Sequence, residues 1–175
     1  MLGDNPIASF AASEGKHATL CANLWPQVMA WLLRIYAWPC ARKQVILAPD
    51  AAAPEMDWGY QFTLPGDWMR TIQVGKRGER IPHEMEGRRI YADTNALPLV
   101  YVWRNDDPAL WDSLLCDLAS MEMCARLAYP VTQSASLAQL KRQEADRALQ
   151  VAKSIAGQDN EPEEWGDSPF TDVRY

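Results

Sequence analysis

The sequence has few of the residues that build catalytic or metal centres. Only two histidines occur in 175 residues, His17 and His83, so one chain cannot supply several histidine ligands to a metal. The four cysteines have no Cys-x-x-Cys spacing, and we interpret them as reduced and mostly buried thiols. A phosphate loop is also absent, because Gly75-Lys76 lacks both the earlier glycine and the following Ser or Thr. These absences favour a protein that assembles over one that catalyses.

The sequence also lacks a basic excess and a long apolar run. Its net charge of −6 is concentrated in residues 158–175, where six acidic residues against Arg174 give −5. Residues 1–157 carry 17 acids and 16 bases, net −1, which argues against a general nucleic-acid binder. The most apolar run, 25–38, is too short to span a membrane and includes Arg34. With no signal segment visible at the start, we expect a soluble protein made inside the cell.

What the sequence does contain is a helical pattern over its last third. The first helix is predicted at 108–128, with Asp107 as its cap and Pro108 at its first position. Tyr129-Pro130 should end it, because the residue before a proline is disfavoured in the α region. Glu122 is expected to reach water. The predicted apolar face consists of Leu110, Leu114, Leu118, Met121, Ala125 and Ala128, widened by Trp111, Leu115 and Cys124.

A second helix is predicted at 136–156, antiparallel to the first. Ser136, in a capping box with Gln139, or the competing Ser134 starts this helix, and Gly157 stops it. Its predicted apolar face consists of Leu137, Leu140, Glu144, Ala148, Val151 and Ile155. The two helices together predict an αα-hairpin joined by a turn of about seven residues.

The first two thirds of the chain predict one helix and then short strands. The helix is expected over 16–36, with Pro26 kinking it or dividing it in two. From 43 to 104 the apolar period changes to two, and turn residues separate the apolar runs. We predict four or five strands there, at 45–47, 60–64, 71–74, 89–92 and 99–103.

These elements predict an α+β fold. Its core is an antiparallel helical bundle, built from an N-terminal helical part at 1–42 and the long αα-hairpin at 105–157. A small antiparallel β-sheet or barrel is inserted at 43–104. An extended acidic C-terminal tail occupies 158–175.

Two segments are candidate contact sites. Lys76, Arg77 and Arg80 form the one basic cluster, interpreted as a contact with DNA or with a partner protein, or as a solvated hairpin tip. The acidic tail contains aromatic residues, which most disordered tails lack. We interpret it as an anchor for a groove on another subunit, the alternative being packing on the chain's own body. The tail's candidate partner-binding residues are Trp165, Phe170, Arg174 and Tyr175.

Several motifs, in this order and spacing, resemble the tail tubular protein A family of tailed bacteriophages. The resemblance covers nearly the whole chain. It rests on GDNPI at 3–7, WPCA at 38–41 before VIL at 45–47, WGYQFTLPGDWMR at 58–70, DDPALW at 106–111, LAYPVTQSASLA at 127–138, and the closing RY at 174–175. The segment at 58–70, an aromatic strand followed by Leu-Pro-x-Asp and a hydrophobic-Arg pair, is the most distinctive.

The resemblance implies a structural virion protein without a cofactor, the head-to-tail adaptor of short-tailed phages. Members of the family form a twelve-fold ring at the head–tail junction, and assemble there from the host cytoplasm. One end binds the portal protein of the filled head and the other receives the tail nozzle. Double-stranded DNA passes through the centre without sequence recognition, and no membrane is involved. In this interpretation copies of the hairpin pack side by side, and the small Ala148 and Ala152 permit close approach.

Three other functions remain open from the sequence. A neck or head-completion protein of a long-tailed phage would share most of these features. A small metal-dependent hydrolase would use His83, Glu84 and Glu86, although this stretch has loop character and lacks helical ligand spacing. A helical scaffold unrelated to phages is the third.

Overall fold

The structure, a computed structural model, describes residues 15–158 and has an α+β fold. Its helices are α1 (Lys16–Ile35), α2 (Ser113–Thr132) and α3 (Ala135–Gln158). Its strands are β1 (Arg42–Leu47), β2 (Tyr60–Thr63), β3 (Trp68–Val74), β4 (His83–Glu86), β5 (Arg89–Ala92) and β6 (Leu97–Trp103). All these strands lie between α1 and α2 in the sequence. The predicted opening segment 3–7 lies outside the described residues.

The helix α1 matches its predicted bounds to within a residue. Pro26 lies inside α1 but does not divide it in two. The buried side chains of α1 include Val28 and, about one turn later on the same side, Leu32 and Leu33. Past the helix end, Trp38 Nε1 donates a hydrogen bond to the Leu32 carbonyl at 2.7 Å, which fixes the exit of the chain.

The helix α2 begins five residues later than the sequence predicts. Asp107 accepts a hydrogen bond from Ala109 N at 3.0 Å, but the turn it caps is a separate 3-10 turn, Pro108–Leu110. Asp112 is the cap of α2, because its carboxylate accepts from Leu115 N at 2.7 Å. Two acidic caps in succession, Asp107 and Asp112, therefore start a 3-10 turn and then an α-helix where one continuous helix was expected.

The predicted end of this helix at Tyr129-Pro130 is also wrong. The helix α2 continues through Pro130 to Thr132, although Pro130 has no N–H to donate to the Arg126 carbonyl. Thr132 Oγ1 donates to the Ala128 carbonyl at 2.6 Å and supports that turn. Gln133, with φ of 53°, then ends the helix in the left-handed conformation. Only two residues join α2 to α3, instead of the predicted seven.

The helix α3 is capped by Ser134, not by the favoured Ser136. Ser134 Oγ accepts a hydrogen bond from Leu137 N at 3.3 Å, the contact expected of a residue just before the first turn. Gly157 does not stop the helix, which continues to Gln158, the last described residue. The helix packs along α2, so the two form a pair joined by a tight turn.

The buried face of α3 differs from the predicted face. Its buried residues are Ala145, Leu149, Ala152 and Ala156. Ala148 also packs against the helical core, so neither Ala148 nor Ala152 is available to a second copy as predicted. The prediction followed the larger apolar side chains, whereas the small alanines are the ones that let the helix approach its own chain closely.

The strands form two antiparallel sheets of three strands. The first sheet has the order β1-β6-β3, with Arg42 opposite Val102 and Leu47 opposite Leu97. The second sheet has the order β2-β5-β4. The strand β4 was not predicted, because its sequence His-Glu-Met-Glu is polar and all four residues are exposed at the edge of the sheet.

Each face of the first sheet has a different neighbour, because successive side chains in a strand point to opposite faces. Leu97, Leu99 and Tyr101 of β6 form one core with Phe62 and Ile90 of the second sheet. On the opposite face, Val102 joins a second core made by the helices, whose members include Leu32, Trp38, Leu115, Leu118 and Ala152. The rest of this opposite face is not covered by the helices, and it forms the groove described next.

Candidate functional site

A groove of about 1130 Å³ lies on the uncovered part of the first sheet. Alternate residues of β1 and β6 form its floor, including Gln44, Ile46 and Val100. The chain around Tyr36, just after α1, closes one side, and Gly157 in the last turn of α3 lies on the rim. Ile46 is 67% exposed although it belongs to a strand, so this face lacks a partner within the described residues.

The groove is basic. None of its lining residues within 15–158 is acidic. Four of them carry cationic side chains: Arg42, Arg70, Lys76 and Arg77. Arg42 comes from β1 and Arg70 from β3, whereas the other two come from the turn after β3. Grouped cations above an aliphatic floor are suited to an anionic ligand that also has apolar parts. We call this surface the basic groove.

Arg70 is held at the inner part of this groove. It lies opposite Val102 in the pairing of β3 with β6. Its Nε is buried and makes no hydrogen bond within the described part of the chain. Arg34 reaches the neighbouring Met69 carbonyl at 3.2 Å, so the end of α1 is tied to the same strand. A buried guanidinium N–H without an acceptor is unfavourable for the stability of the fold.

The turn after β3 has a fixed geometry. Gly75 has φ of 97°, and a Cβ there would lie 2.9 Å from the Glu79 carbonyl oxygen. Its N–H donates to the Pro98 carbonyl at 2.8 Å, which attaches the turn to β6. Lys76 N donates to Glu79 Oε2 at 3.1 Å, closing the turn. These contacts bring Lys76 and Arg77 to the groove, whereas Arg80, the third member of the predicted cluster, does not line it.

A second surface is apolar and lies along the outside of the helical pair. Leu110, Leu140, Val151 and Ile155 are 57%, 50%, 56% and 43% exposed. Val151 and Ile155 are one turn apart, and Leu140 is three turns earlier, so these three share a side of α3. Ile155 also lines an apolar depression of about 450 Å³ together with Leu110 and Trp111. We call these four residues the apolar flank.

The helical pair contains a buried ion pair that sequence reasoning missed. The Glu122 side chain is only 1% exposed and contacts Arg126 at 2.8 Å and Arg142 at 2.8 Å. Burial would raise the pKa of Glu122, but hydrogen bonds from Arg142 and Arg126 hold it below its ordinary value. Arg142 also contacts Asp146 at 2.6 Å. This network connects α2 to α3 and has a structural role.

Asp67 connects strands on the other face of the first sheet, the face to which Tyr101 points. It accepts hydrogen bonds from Lys43 Nζ at 2.6 Å and from the Tyr101 hydroxyl at 3.0 Å. Burial and the hydrogen bond to Asp67 raise the pKa of Tyr101 to about 12. Burial would raise the pKa of Asp67, but these two donors lower it overall. Lys43 also lies 3.8 Å from the ring centre of Trp103, so the cluster ties β1 to β6.

The residues of the alternative hydrolase site do not converge. In β4, His83 points to one face of the sheet, and Glu84 and Glu86 to the other. His83 Nδ1 lies 2.8 Å from the Ile81 carbonyl, and Glu84 accepts a hydrogen bond from Trp58 Nε1 at 3.2 Å. Between residues 15 and 158, no three His, Cys, Asp or Glu side chains are grouped so as to hold a metal ion.

Two further expectations concern segments and properties outside these sites. The predicted partner-binding residues Trp165, Phe170, Arg174 and Tyr175 lie outside the described residues. Among the helices described, none combines the length and apolar character needed to cross a bilayer.

No protein-family model matches this chain, and no curated protein sequence matches it significantly.

Proposed function

We propose that this chain is a structural protein of a tailed-phage particle, the head-to-tail adaptor that forms a ring, twelve-fold in the family it resembles, below the portal. In this proposal it has no catalytic role, and it works at the head–tail junction after assembly in the host cytoplasm. The resemblance of segments 58–70 and 127–138 to the tail tubular protein A family supports it. A contact surface suited to assembly supports it independently.

The observation that carries the proposal is the apolar flank. Exposed residues with large apolar side chains are common singly, but a row of them on one side of a helical pair is typical of a protein–protein contact. Leu140, Val151 and Ile155 extend the row over about 22 Å of α3, at 1.5 Å per residue. A ring requires such a surface on one side of each subunit and a complementary surface on the other.

The proposed architecture is a helical bundle of α1 and the α2–α3 hairpin with the two sheets inserted between them. The bundle would line the ring, and the inserted sheets would face the next component along the tail axis. DNA would pass through the ring without sequence recognition, which the net charge of −1 over residues 1–157 favours, because strongly basic walls would retain it. The tail at 158–175 would bind the portal through Trp165, Phe170, Arg174 and Tyr175.

The experiment replaces the apolar flank with charge. Val151→Asp with Ile155→Asp puts two carboxylates on the side that we propose contacts the next subunit, where burying them would be unfavourable. The matched control is Gln143→Asp with Gln150→Asp, which adds the same charge to exposed positions about 80–140° around α3 from the two flank residues. Ring formation on the portal would be measured by negative-stain electron microscopy and the fold by circular dichroism.

We expect the flank variant to fold but to form no ring on the portal, and the control variant to form rings as the wild type does. Rings of normal size from the flank variant would refute this use of the flank. Loss of rings in both variants would show that added negative charge on α3 prevents ring formation wherever it is placed. The apolar flank would then no longer support the proposed function.

A further inference from the structure

The basic groove has no role in the ring contact just described. It lies on the sheet, whereas the apolar flank lies on α3 and the 3-10 turn before α2. Its basic lining and the exposed Ile46 suit an occupant that is both anionic and apolar. The groove therefore has the character of a binding site in its own right, independent of the proposed function.

The sequence immediately after α3 has this combined character. Residues 159–175 carry six acidic residues against one base, together with Trp165, Phe170 and Tyr175. The carboxylates would pair with the cations of the rim, and an aromatic ring would cover Ile46 and its aliphatic neighbours. Within the chain, no other segment of this length combines so much negative charge with so many aromatic residues.

The segment also starts at the right place. Gly157 lies on the rim of the groove, so residue 159 is two residues from it. Seventeen residues extend at most roughly 55–60 Å, whereas a six-residue strand such as β1 is about 20 Å long. A short tether gives an effective concentration in the millimolar range, which a separate molecule at micromolar concentration does not match.

We infer that, in the free protein, the basic groove binds the acidic C-terminal segment 159–175 of the same chain. Duplex DNA is the other polyanion to consider, but a body of net charge −1 would not attract it strongly, and DNA has no aromatic side chain to cover Ile46. In this state the aromatic residues of the segment are withheld from other proteins until a partner competes for them.

The test uses zero-length carbodiimide coupling of the intact chain, read by mass spectrometry. Lys76 should form amide links to carboxylates of 159–175, while the exposed Lys16 should form few. Lys141–Glu144 and Lys43–Asp67, at 2.8 Å and 2.6 Å, are internal positive controls for the chemistry. An equal mixture of ¹⁴N- and ¹⁵N-labelled protein separates links within one chain, which are isotopically uniform, from links between chains.

We expect the Lys76 links to be isotopically uniform, as links within one chain are. They should be lost in a variant carrying Arg42→Glu with Arg77→Glu, and should remain in the control Arg89→Glu on the second sheet. Isotopically mixed links would assign the groove to a neighbouring copy. An absence of Lys76 links while both control links form would overturn the inference. Tight binding of a 20-base-pair duplex by the intact chain, abolished by Lys76→Gln with Arg77→Gln, would assign the groove to nucleic acid and overturn it as well.

Discussion

Replacing the buried carboxylate in Glu122→Gln keeps the size of the side chain and removes its charge. Removing one member of a buried ion pair typically destabilises a protein by about 3–5 kcal/mol, because the remaining charge is left buried. Here the remaining charges are partly solvated, since the Arg126 and Arg142 side chains are 29% and 39% exposed. The glutamine oxygen can still accept one hydrogen bond. We therefore expect a loss of about 2 kcal/mol in the free energy of unfolding.

This loss should appear as a fall in Tm of about 4–8 °C for a chain of this size, measured by calorimetry at pH 7. The matched control is Glu144→Gln, which removes an exposed i,i+3 pair with Lys141 and should change stability by about 0.5 kcal/mol or less. A Glu122→Gln variant no less stable than Glu144→Gln would refute the reasoning.

The difference between wild type and Glu122→Gln should also depend on pH. The pKa of Glu122 is lower in the folded protein than in the unfolded chain, where it is about 4.3. The carboxylate therefore contributes its full stability above that unfolded value, and the contribution is lost as pH falls through the folded pKa. In urea unfolding, the difference in the free energy of unfolding between wild type and Glu122→Gln should be smaller at pH 3 than at pH 7. An equal difference at the two pH values would contradict the lowered pKa of Glu122.

Three other substitutions test the fold around the two surfaces. Asp67→Asn should lower the pKa of Tyr101 from about 12 toward its ordinary value, measured by ultraviolet titration, and destabilise the chain by about 1–2 kcal/mol; an unchanged Tyr101 titration would contradict the contact. Gly75→Ala should destabilise by more than about 1 kcal/mol because of its φ of 97° and the 2.9 Å approach, whereas Gly66→Ala, with open space around it, should be near neutral in the same urea experiment. Asn105→Ala should destabilise by about 2 kcal/mol, since its buried amide donates to the Cys40 carbonyl at 3.0 Å, and a loss no larger than that of the exposed Asn95→Ala would refute this.

Much of the fold could be predicted from local patterns. The period of two located five strands because they carry β-branched or aromatic residues, and the apolar stripe located α1. The strand β4 was missed because an exposed edge strand needs no apolar alternation. Local signals also misjudged Pro130, because α2 continues past this proline to Thr132, whose hydroxyl adds a hydrogen bond to the Ala128 carbonyl in the last turn.

The candidate surfaces were harder to predict, because they depend on tertiary contacts. Lys76 and Arg77 were recognised as a basic cluster, but Arg42 and Arg70 join them only through the pairing of β1 and β3 with β6. On α3, the chain buries alanines and leaves Val151 and Ile155 exposed, so side-chain size pointed to the wrong face. Glu122 occupies an apolar face because two arginines reach it, and no spacing in the sequence indicates Arg142 as its partner.

Native mass spectrometry of the purified protein, alone and mixed with the portal ring of the same particle, tests whether this chain assembles as a ring on a portal. If it does, the complex gains one copy of this chain per portal subunit, twelve on a twelve-fold portal. A protein that keeps its own mass in the mixture, with the portal mass unchanged, would contradict it.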